Sequence, residues 1–433
     1  MKEILTLNRK EQNRAVVISQ VERNQLTMDQ AAILLKISQR QVWRLLGGYR
    51  REGVAGLAHG NRGRRPVNAL PAELKAEVLQ LAESKYVGFN HTHFTEKLVE
   101  FEGIHLSRSC IRNILLENGL RSPRKRRSPR HRSRRERYPR EGMLLQTDGS
   151  SHDWLEGRGP KLCLIGAIDD ATNKVPDALF QEQETTEGYM RMLQGISSGC
   201  GLPLAMYHDR HSIFEVSEAI LPSMEEQLNG REPKTQFGRL LDELGIESIS
   251  ANSPQAKGRI ERLWGTFQDR LTSELRLAGA RTLEEANQVL ARFLVEYNRK
   301  FAVSARDPKV AYRKIGKGFK AEEYFCFKYG RTVGADNVVR FNGKRLQVLP
   351  SSNRMSYAQC KVVVQERLDG SLAIYYHGKP LAIQPAPPEA TLMRKPTLIP
   401  TKTGISFEKS VYVRPNKPAP DHPWRGKFRV SIK

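Results

Sequence analysis

The chain has 433 residues, 39% hydrophobic and 7% aromatic, and its 71 Lys and Arg against 47 Asp and Glu leave a formal charge of +24. That length exceeds one ordinary core, so several domains joined by polar segments are expected. It holds no run of about 18 apolar residues, and the opening MKEILTLNRKEQNRAVV meets charge at once, which argues against a membrane span or signal peptide and for a cytoplasmic protein.

Residues 9–50 read as three short helices with helix-turn-helix spacing. Ala31, Ala32, Leu35, Ile37, Val42 and Leu45 fall where two helices pack together, and Ser38 is placed to cap the second of them. Gln39, Arg40, Gln41 and Arg44 are left on the outer side, where they can enter a major groove. Lys36 stands where a glycine usually takes the left-handed turn, at a cost of about 1 kcal/mol. This first DNA-binding domain spans 1–60. The linker GNRGRRPVNALP leads into a second helical unit, 61–120, with Leu74, Val78, Leu79 and Leu81 on one apolar face and Phe94, Leu98 and Phe101 on another. In it Ser107 caps a helix carrying Ile111, Ile114 and Leu115, which Gly119 stops.

The segment 121–141 is a basic linker. Residues 121–140 alone hold eleven Lys and Arg against one acid, leaving the rest of the chain at +14. A basic arm on a basic body fits a polyanion followed over a long path, with nucleic acid ahead of anionic membrane. Arg124, Lys125, Arg126 and Arg127 are its candidate phosphate contacts. The five cysteines are scattered with no CxxC pair, which fits a reducing compartment and argues against structural zinc.

From 142 the pattern turns to strands. MLLQTD (143–148) ends in Asp148, KLCLIGAID (161–169) and KVPDALFQ (174–181) follow, and after a helical stretch LPLAMYHD (202–209) ends in Asp209. A helix near 234–244 precedes IESIS, and NSPQAKGRIERLWGTFQDRL opens a long helix with Ser253 as cap and Pro254 at its first position. The order β-β-β-α-β-α-β-α is that of an RNase H-like nuclease core, here 142–305. If the strands ending in Asp148 and Asp209 are parallel neighbours, their carboxylates meet at one sheet edge. Glu261 lies about 100° round from the stripe Ile260, Leu263, Trp264, Phe267 and Leu271, so it can face that edge while the helix packs down. Lys257 shares its face and Arg259 lies close by, both candidate DNA contacts. Three carboxylates suit two hard cations about 3.5–4 Å apart, Mg²⁺ or Mn²⁺, which activate the attacking oxygen and stabilise the leaving one at phosphorus.

Each carboxylate has a plainer reading: Asp148 in an Asp-Gly turn, Asp209 as a cap, Glu261 as a surface partner of Lys257. Asp169 and Asp170 also end a strand, but the following ATN marks them as turn residues. Arg210 and His211 adjoin Asp209, as phosphate contacts or as plain surface residues. Beyond a closing helix over 282–299, short strands with a turn at Asn342-Gly343 predict a small SH3-like β-barrel over 315–385, and 386–433 is a Pro- and Lys-rich tail expected to be disordered.

The segments QTDGSSHDWLEG, KLCLIGAIDDATN, LPLAMYHDRHSIF and NSPQAKGRIERLWGTFQ resemble the integrase-type core of bacterial insertion-sequence transposases, the ISNCY group most of all. On that family's pattern the Asp-Asp-Glu triad falls on Asp148, Asp209 and Glu261, spaced 61 and 52 residues apart. The resemblance implies a multidomain chain: all-α helix-turn-helix units, an α/β RNase H-like catalytic core and the C-terminal barrel. It also implies a transposase that binds the terminal inverted repeats of its element and catalyses metal-dependent cleavage and strand transfer into target DNA. Two Mg²⁺ or Mn²⁺ ions, a homo-oligomer of at least two subunits, no membrane partner, and a nucleoid-associated place in a bacterial cytoplasm go with it. A structure-specific nuclease with the same core, or a DNA-binding regulator with a relic core, are the other readings.

Overall fold

Asn8 starts the chain's first helix, α1 (Arg9–Glu22), through a capping box: its Oδ1 accepts from Glu11 N at 3.0 Å and its own N donates to Glu11 Oε2 at 2.9 Å. These residues belong to a computed structural model that describes 6–59, 61, 67, 69–123, 135–216, 233–251 and 258–387. A second box, Thr27 with Gln30, opens α2 (Met28–Leu35), which closes on Lys36 in the left-handed region at φ 52°. Lys36 therefore takes the turn expected of it, and α3 (Gln39–Glu52) follows. Ser38 occupies the N-cap position with extended backbone, but its side chain makes no cap hydrogen bond, so its role is narrower than expected. Val17, Ile18, Val21, Ala31, Val42, Leu46 and Leu57 form the core of this small unit.

The second helical unit comprises α4 (Ala72–Glu83), α5 (His91–Phe101) and α6 (Arg108–Glu117). Ser107 caps α6 as expected, with its Oγ 3.2 Å from Cys110 N, and Gly119 takes φ +78° just past the helix end. Phe101, assigned above to an apolar face, is 64% exposed, because α5 turns its buried side, Phe94 and Leu98, the other way.

The central sheet has five strands: β1 (Leu144–His152), β2 (Leu162–Asp169), β3 (Ala178–Gln181), β4 (Ala205–His208) and β5 (Glu247–Ser250). Its order is β3-β2-β1-β4-β5, antiparallel through β3-β2-β1 and parallel through β1-β4-β5. This is the mixed sheet of an RNase H-like core. One face carries α7 (Thr186–Gly199) and α8 (Gln236–Glu243), the other α9 (Gly258–Leu277) and α10 (Leu283–Phe301). Covering on both faces explains the unbroken apolar run of β2: Cys163 and Ile165 join the cluster with Tyr189 and Phe237, Leu164 and Ile168 the one with Trp264 and Phe267. Each large side chain so buried stabilises by about 1.5–3 kcal/mol. The open edge of β3 is met by Asn287 of α10, whose Oδ1 accepts from Phe180 N at 2.8 Å and whose Nδ2 donates to Phe180 O at 3.2 Å.

Helix α5 is tied to α9 and α10 by ion pairs. Glu96 accepts from Arg270 at 2.8 and 3.0 Å and from Lys300 at 3.1 Å, Lys97 and His93 meet Glu274 at 2.7 and 2.6 Å, and Asn90 Nδ2 donates to Asp269 at 2.7 Å. Burial works to raise the Glu96 carboxyl, but the Arg270 and Lys300 hydrogen bonds and charges outweigh it and hold the group down at about 2. Because that value is depressed, the stabilisation is complete above the ordinary value of 4.5 and is lost as pH falls from there toward 2. The gap in urea midpoint between the native chain and Glu96→Gln should therefore narrow between pH 5 and pH 3. A gap that stays constant would mean that the ion pair adds nothing to folding.

Two compact units divide the chain, Met1–Lys328 with Glu366–Ser371, and Tyr329–Gln365 with Leu372–Lys433. The second contains a three-stranded sheet of order β12-β8-β7 and most of a four-stranded sheet of order β11-β10-β9-β6. Their strands are β6 (Cys326–Thr332), β7 (Val338–Phe341), β8 (Lys344–Val348), β9 (Lys361–Arg367), β10 (Leu372–Tyr376), β11 (Lys379–Leu381) and β12 (Ile383–Pro385). Both sheets are open, where a closed SH3-like barrel was expected. Asn342 and Gly343 both take positive φ between β7 and β8, the hairpin turn read from the sequence, and His377-Gly378 does the same between β10 and β11 without having been singled out. The tail from 388 lies outside the described residues. Among the described residues no helix is long and apolar enough to cross a membrane.

Candidate catalytic site and DNA-binding face

Strand β1 is buried from Leu144 to Thr147, and its side chains first reach solvent at Asp148. The strand does not end there. It runs four residues further to His152, paired with β2, so Asp148 sits opposite Gly166 in mid-strand and the Asp148-Gly149 step is no turn. On the other edge β4 stops at His208, and β1 loses its neighbour. The parallel register pairs Leu144 with Ala205 and Gln146 with Tyr207; carried two residues on, it sets Asp148 beside Asp209. Both carboxylates, together with Glu184, act electrostatically on the buried Tyr189 hydroxyl.

The chain after β4 is fixed by His208, which is fully buried. Its Nδ1 lies 2.7 Å from Asp209 O, its Nε2 2.7 Å from Ser248 Oγ, and its ring stacks on Phe214 at 4.2 Å. Asp209 Oδ1 accepts from His211 N at 3.2 Å, and His211 Nδ1 from Ile213 N at 3.3 Å, so His211 shapes the loop.

Helix α9 meets Asp148 through Trp264, whose Nε1 donates to Asp148 Oδ2 at 3.2 Å. Gly166 makes room for the indole: a Cβ there would lie 3.1 Å from the far edge of the Trp264 ring. Glu261, three residues earlier, is exposed in the first turn of the same helix. The start of α9 is held to β1 and the β2 turn by Asp170, which is completely buried. Its Oδ1 accepts from Arg259 Nε at 2.6 Å, Gln146 Nε2 at 3.0 Å and Arg135, and its Oδ2 from Tyr138 N at 2.9 Å. Arg259 was expected among the DNA contacts; instead its side chain, 11% exposed, is engaged inside the fold. Asp169 is a turn residue, accepting from Gly142 N, Thr172 N and Thr172 Oγ1, each at 2.8 Å, and burial pushes its carboxyl up against those bonds.

Sequence reasoning missed two groups. Glu184 lies against Gly149, where a Cβ would come within 2.5 Å of its Cδ, and it accepts from the Tyr189 hydroxyl at 2.5 Å. Burial first, then the Glu184 charge, raise the Tyr189 phenol well above its ordinary range, so it stays a hydrogen-bond donor. Nothing in QEQETTEG marks Glu184 out, and Tyr189 reads as an ordinary core residue.

Asp148, Asp209 and Glu261 offer carboxylate oxygens, the donor type that Mg²⁺ or Mn²⁺ prefers. Among the described residues, however, no three His, Cys, Asp or Glu side chains stand close enough together to hold one ion. Ser253, Pro254 and Lys257, which precede α9, lie outside the described residues, as do Arg124, Lys125, Arg126 and Arg127. In the N-terminal unit Arg40 and Arg44 are exposed on α3 and Gln41 is half-buried.

The Homeodomain-like domain, as a family, matches residues 8–58. A DNA-binding helical unit joined to a mixed-sheet core with acidic side chains at a strand edge defines a DNA-binding enzyme of the polynucleotidyl transferase type. Among relatives, y4bF of Sinorhizobium fredii, which carries a transposase's name, is 34% identical over 381 residues, 87% of this chain and 81% of its own. The transposase for insertion sequence IS1202 of Streptococcus pneumoniae is 33% identical over 421 residues, 86% of each chain. The chain belongs to the insertion-sequence transposases. A solved structure, the catalytic core domain of BIV integrase, overlaps 37% of this chain and 85% of its own at 19% identity with a TM-score of 0.27, too slight a likeness to argue from.

Proposed function

We propose that Asp148, Asp209 and Glu261 are the catalytic carboxylates of this transposase and that they hold two Mg²⁺ or Mn²⁺ ions. The observation that carries the reading is the β1–β4 register, which pairs Gln146 with Tyr207 and, continued past the end of β4, would bring Asp148 level with Asp209. Trp264 supports it by bringing the helix that carries Glu261 onto Asp148. When bound, such ions polarise the scissile phosphate and neutralise charge on the attacking and leaving oxygens. The chain's own part is to hold DNA and align the reacting groups. Helix α3, with Arg40, Gln41 and Arg44, binds the terminal inverted repeats, and Arg124, Lys125, Arg126, Arg127 and Lys257 follow phosphates. Water then attacks the phosphorus at the element's end, breaking the P–O bond to leave a free 3′-OH. That 3′-OH attacks a target phosphodiester, displacing the target's own 3′ oxygen. Work on two ends requires at least a dimer, and the setting is a bacterial nucleoid. Within the family, the resemblance of the four core segments supports assigning the chain to the ISNCY group.

The test is a labelled duplex carrying the element's terminal repeat, incubated with the purified full chain and Mg²⁺. End cleavage followed by joining to a target duplex is the expected result. Hydrolysis that never leads to joining would make the chain a nuclease, and binding with no cleavage a regulator.

A further inference from the structure

Helix α3 presents an outer face that its own fold does not account for. Val42 and Leu46 are buried, while Arg40, Trp43, Arg44, Gly47 and Arg51 lie on the exposed side. Trp43 is 58% exposed, although an indole ordinarily finds cover in a folded protein. One turn on, Gly47 sits inside the helix, where glycine is the poorest helix former after proline. Its neighbour Gly48 is required: a Cβ at 48 would lie 3.1 Å from Gly56 O, and one at Gly56 only 2.4 Å from Gly48 O. At Gly47 a Cβ would meet nothing within 4 Å. The fold thus gains nothing from glycine there and loses helix stability by it. Trp43 and Arg44 stand one turn before this notch, Arg50 and Arg51 one turn after, and Arg50 is paired with Glu22 at 2.8 Å.

We propose that Gly47 is a close-approach notch for double-stranded DNA, with Trp43 as its apolar wall and a determinant of which bases are read. The cations around the notch select a polyanion over a second copy of the chain or an apolar partner. Removing the side chain at 47 lets the helix sink into the major groove, and the Trp43 ring then meets base edges, where an apolar surface discriminates through the thymine methyl. The inference rests on α3 being the DNA-facing helix.

The experiment uses the full chain and the duplex that it enriches from a randomised library. Gly47→Ala should bind that duplex about tenfold more weakly while melting at the same or a higher temperature. Trp43→Ala should bind about as weakly and, on re-selection, relax the preference at one or two base pairs, with the salt dependence of binding unchanged because no phosphate contact is lost. Gly47→Ala binding as tightly as the native chain would overturn the notch. So would a lower melting temperature, since the fold itself would then need the glycine, or a changed oligomeric state with DNA affinity intact. Arg44→Ala separates the two levels: if it too binds normally, α3 does not face DNA; if it binds weakly while Gly47→Ala binds normally, the notch alone fails.

Discussion

Asp148→Asn and Asp209→Asn should each lower cleavage of terminal-repeat DNA by about 10³-fold or more, roughly 4 kcal/mol of transition-state stabilisation. Affinity for the same duplex should stay as it was. The amide matches the carboxylate in size and keeps an oxygen for Trp264 Nε1, which donates to Asp148 at 3.2 Å, so the sheet edge persists. What it removes is negative charge, and a hard cation held by carboxylates at a strand edge depends on that charge. Glu261→Gln should behave alike, although the residue is exposed at the start of α9 and costs the fold nothing to change. DNA affinity survives because it is attributed to α3 and the basic linker, remote in sequence from β1. Single-turnover cleavage in Mg²⁺ beside fluorescence anisotropy of the uncut duplex gives both readouts. Full cleavage by any one of the three variants would remove that residue from the triad.

How far these residues could be read from the chain depended on whether the deciding interaction was local. The stripe Ile260, Leu263, Trp264, Phe267 and Leu271 was legible because a helix repeats every 3.6 residues, and all five are buried. The left-handed turn at Lys36 was legible for the same reason: its cause lies within four residues. The end of β1 was not. Asp148-Gly149 looks like a stop, yet pairing with β2 carries the strand on to His152, and only the partner strand decides that. The pairing of Arg259 was not legible because its partner, Asp170, lies 89 residues away in the chain. Glu184 and Tyr189 escaped notice because what brings them to Asp148 is the packing of α7 on the sheet, which leaves no period in the sequence. Phe101 shows the converse: the spacing was helical, but the buried face, Phe94 and Leu98, was set by which side of α5 meets α4 and α6.

Asp170→Ala should destabilise the first unit by about 3–5 kcal/mol, the usual cost of removing one partner of a buried ion pair. Four donors converge on this carboxylate: Arg259, Gln146, Arg135 and Tyr138 N. Its loss leaves the Arg259 guanidinium, 11% exposed, without its charge partner in a place where water cannot fully replace it. A comparison fixes the scale. The Arg50–Glu22 pair is nearly as short, at 2.8 Å, but its side chains are 56% and 38% exposed, and breaking it should cost no more than about 1 kcal/mol. The buried pair also has a mechanical consequence. Arg259 is two residues before Glu261, and Gln146 accepts from Ile260 N at 3.4 Å, so Asp170 anchors the turn that carries Glu261. The variant should therefore cleave more slowly even at temperatures where it is fully folded, and Asp170→Asn, which retains an acceptor oxygen, should lose less of both. Urea midpoints of Asp170→Ala and Glu22→Ala, measured side by side, decide the matter. Equal and small losses would mean that the Asp170 network is ornamental and that something else holds the start of α9 in place.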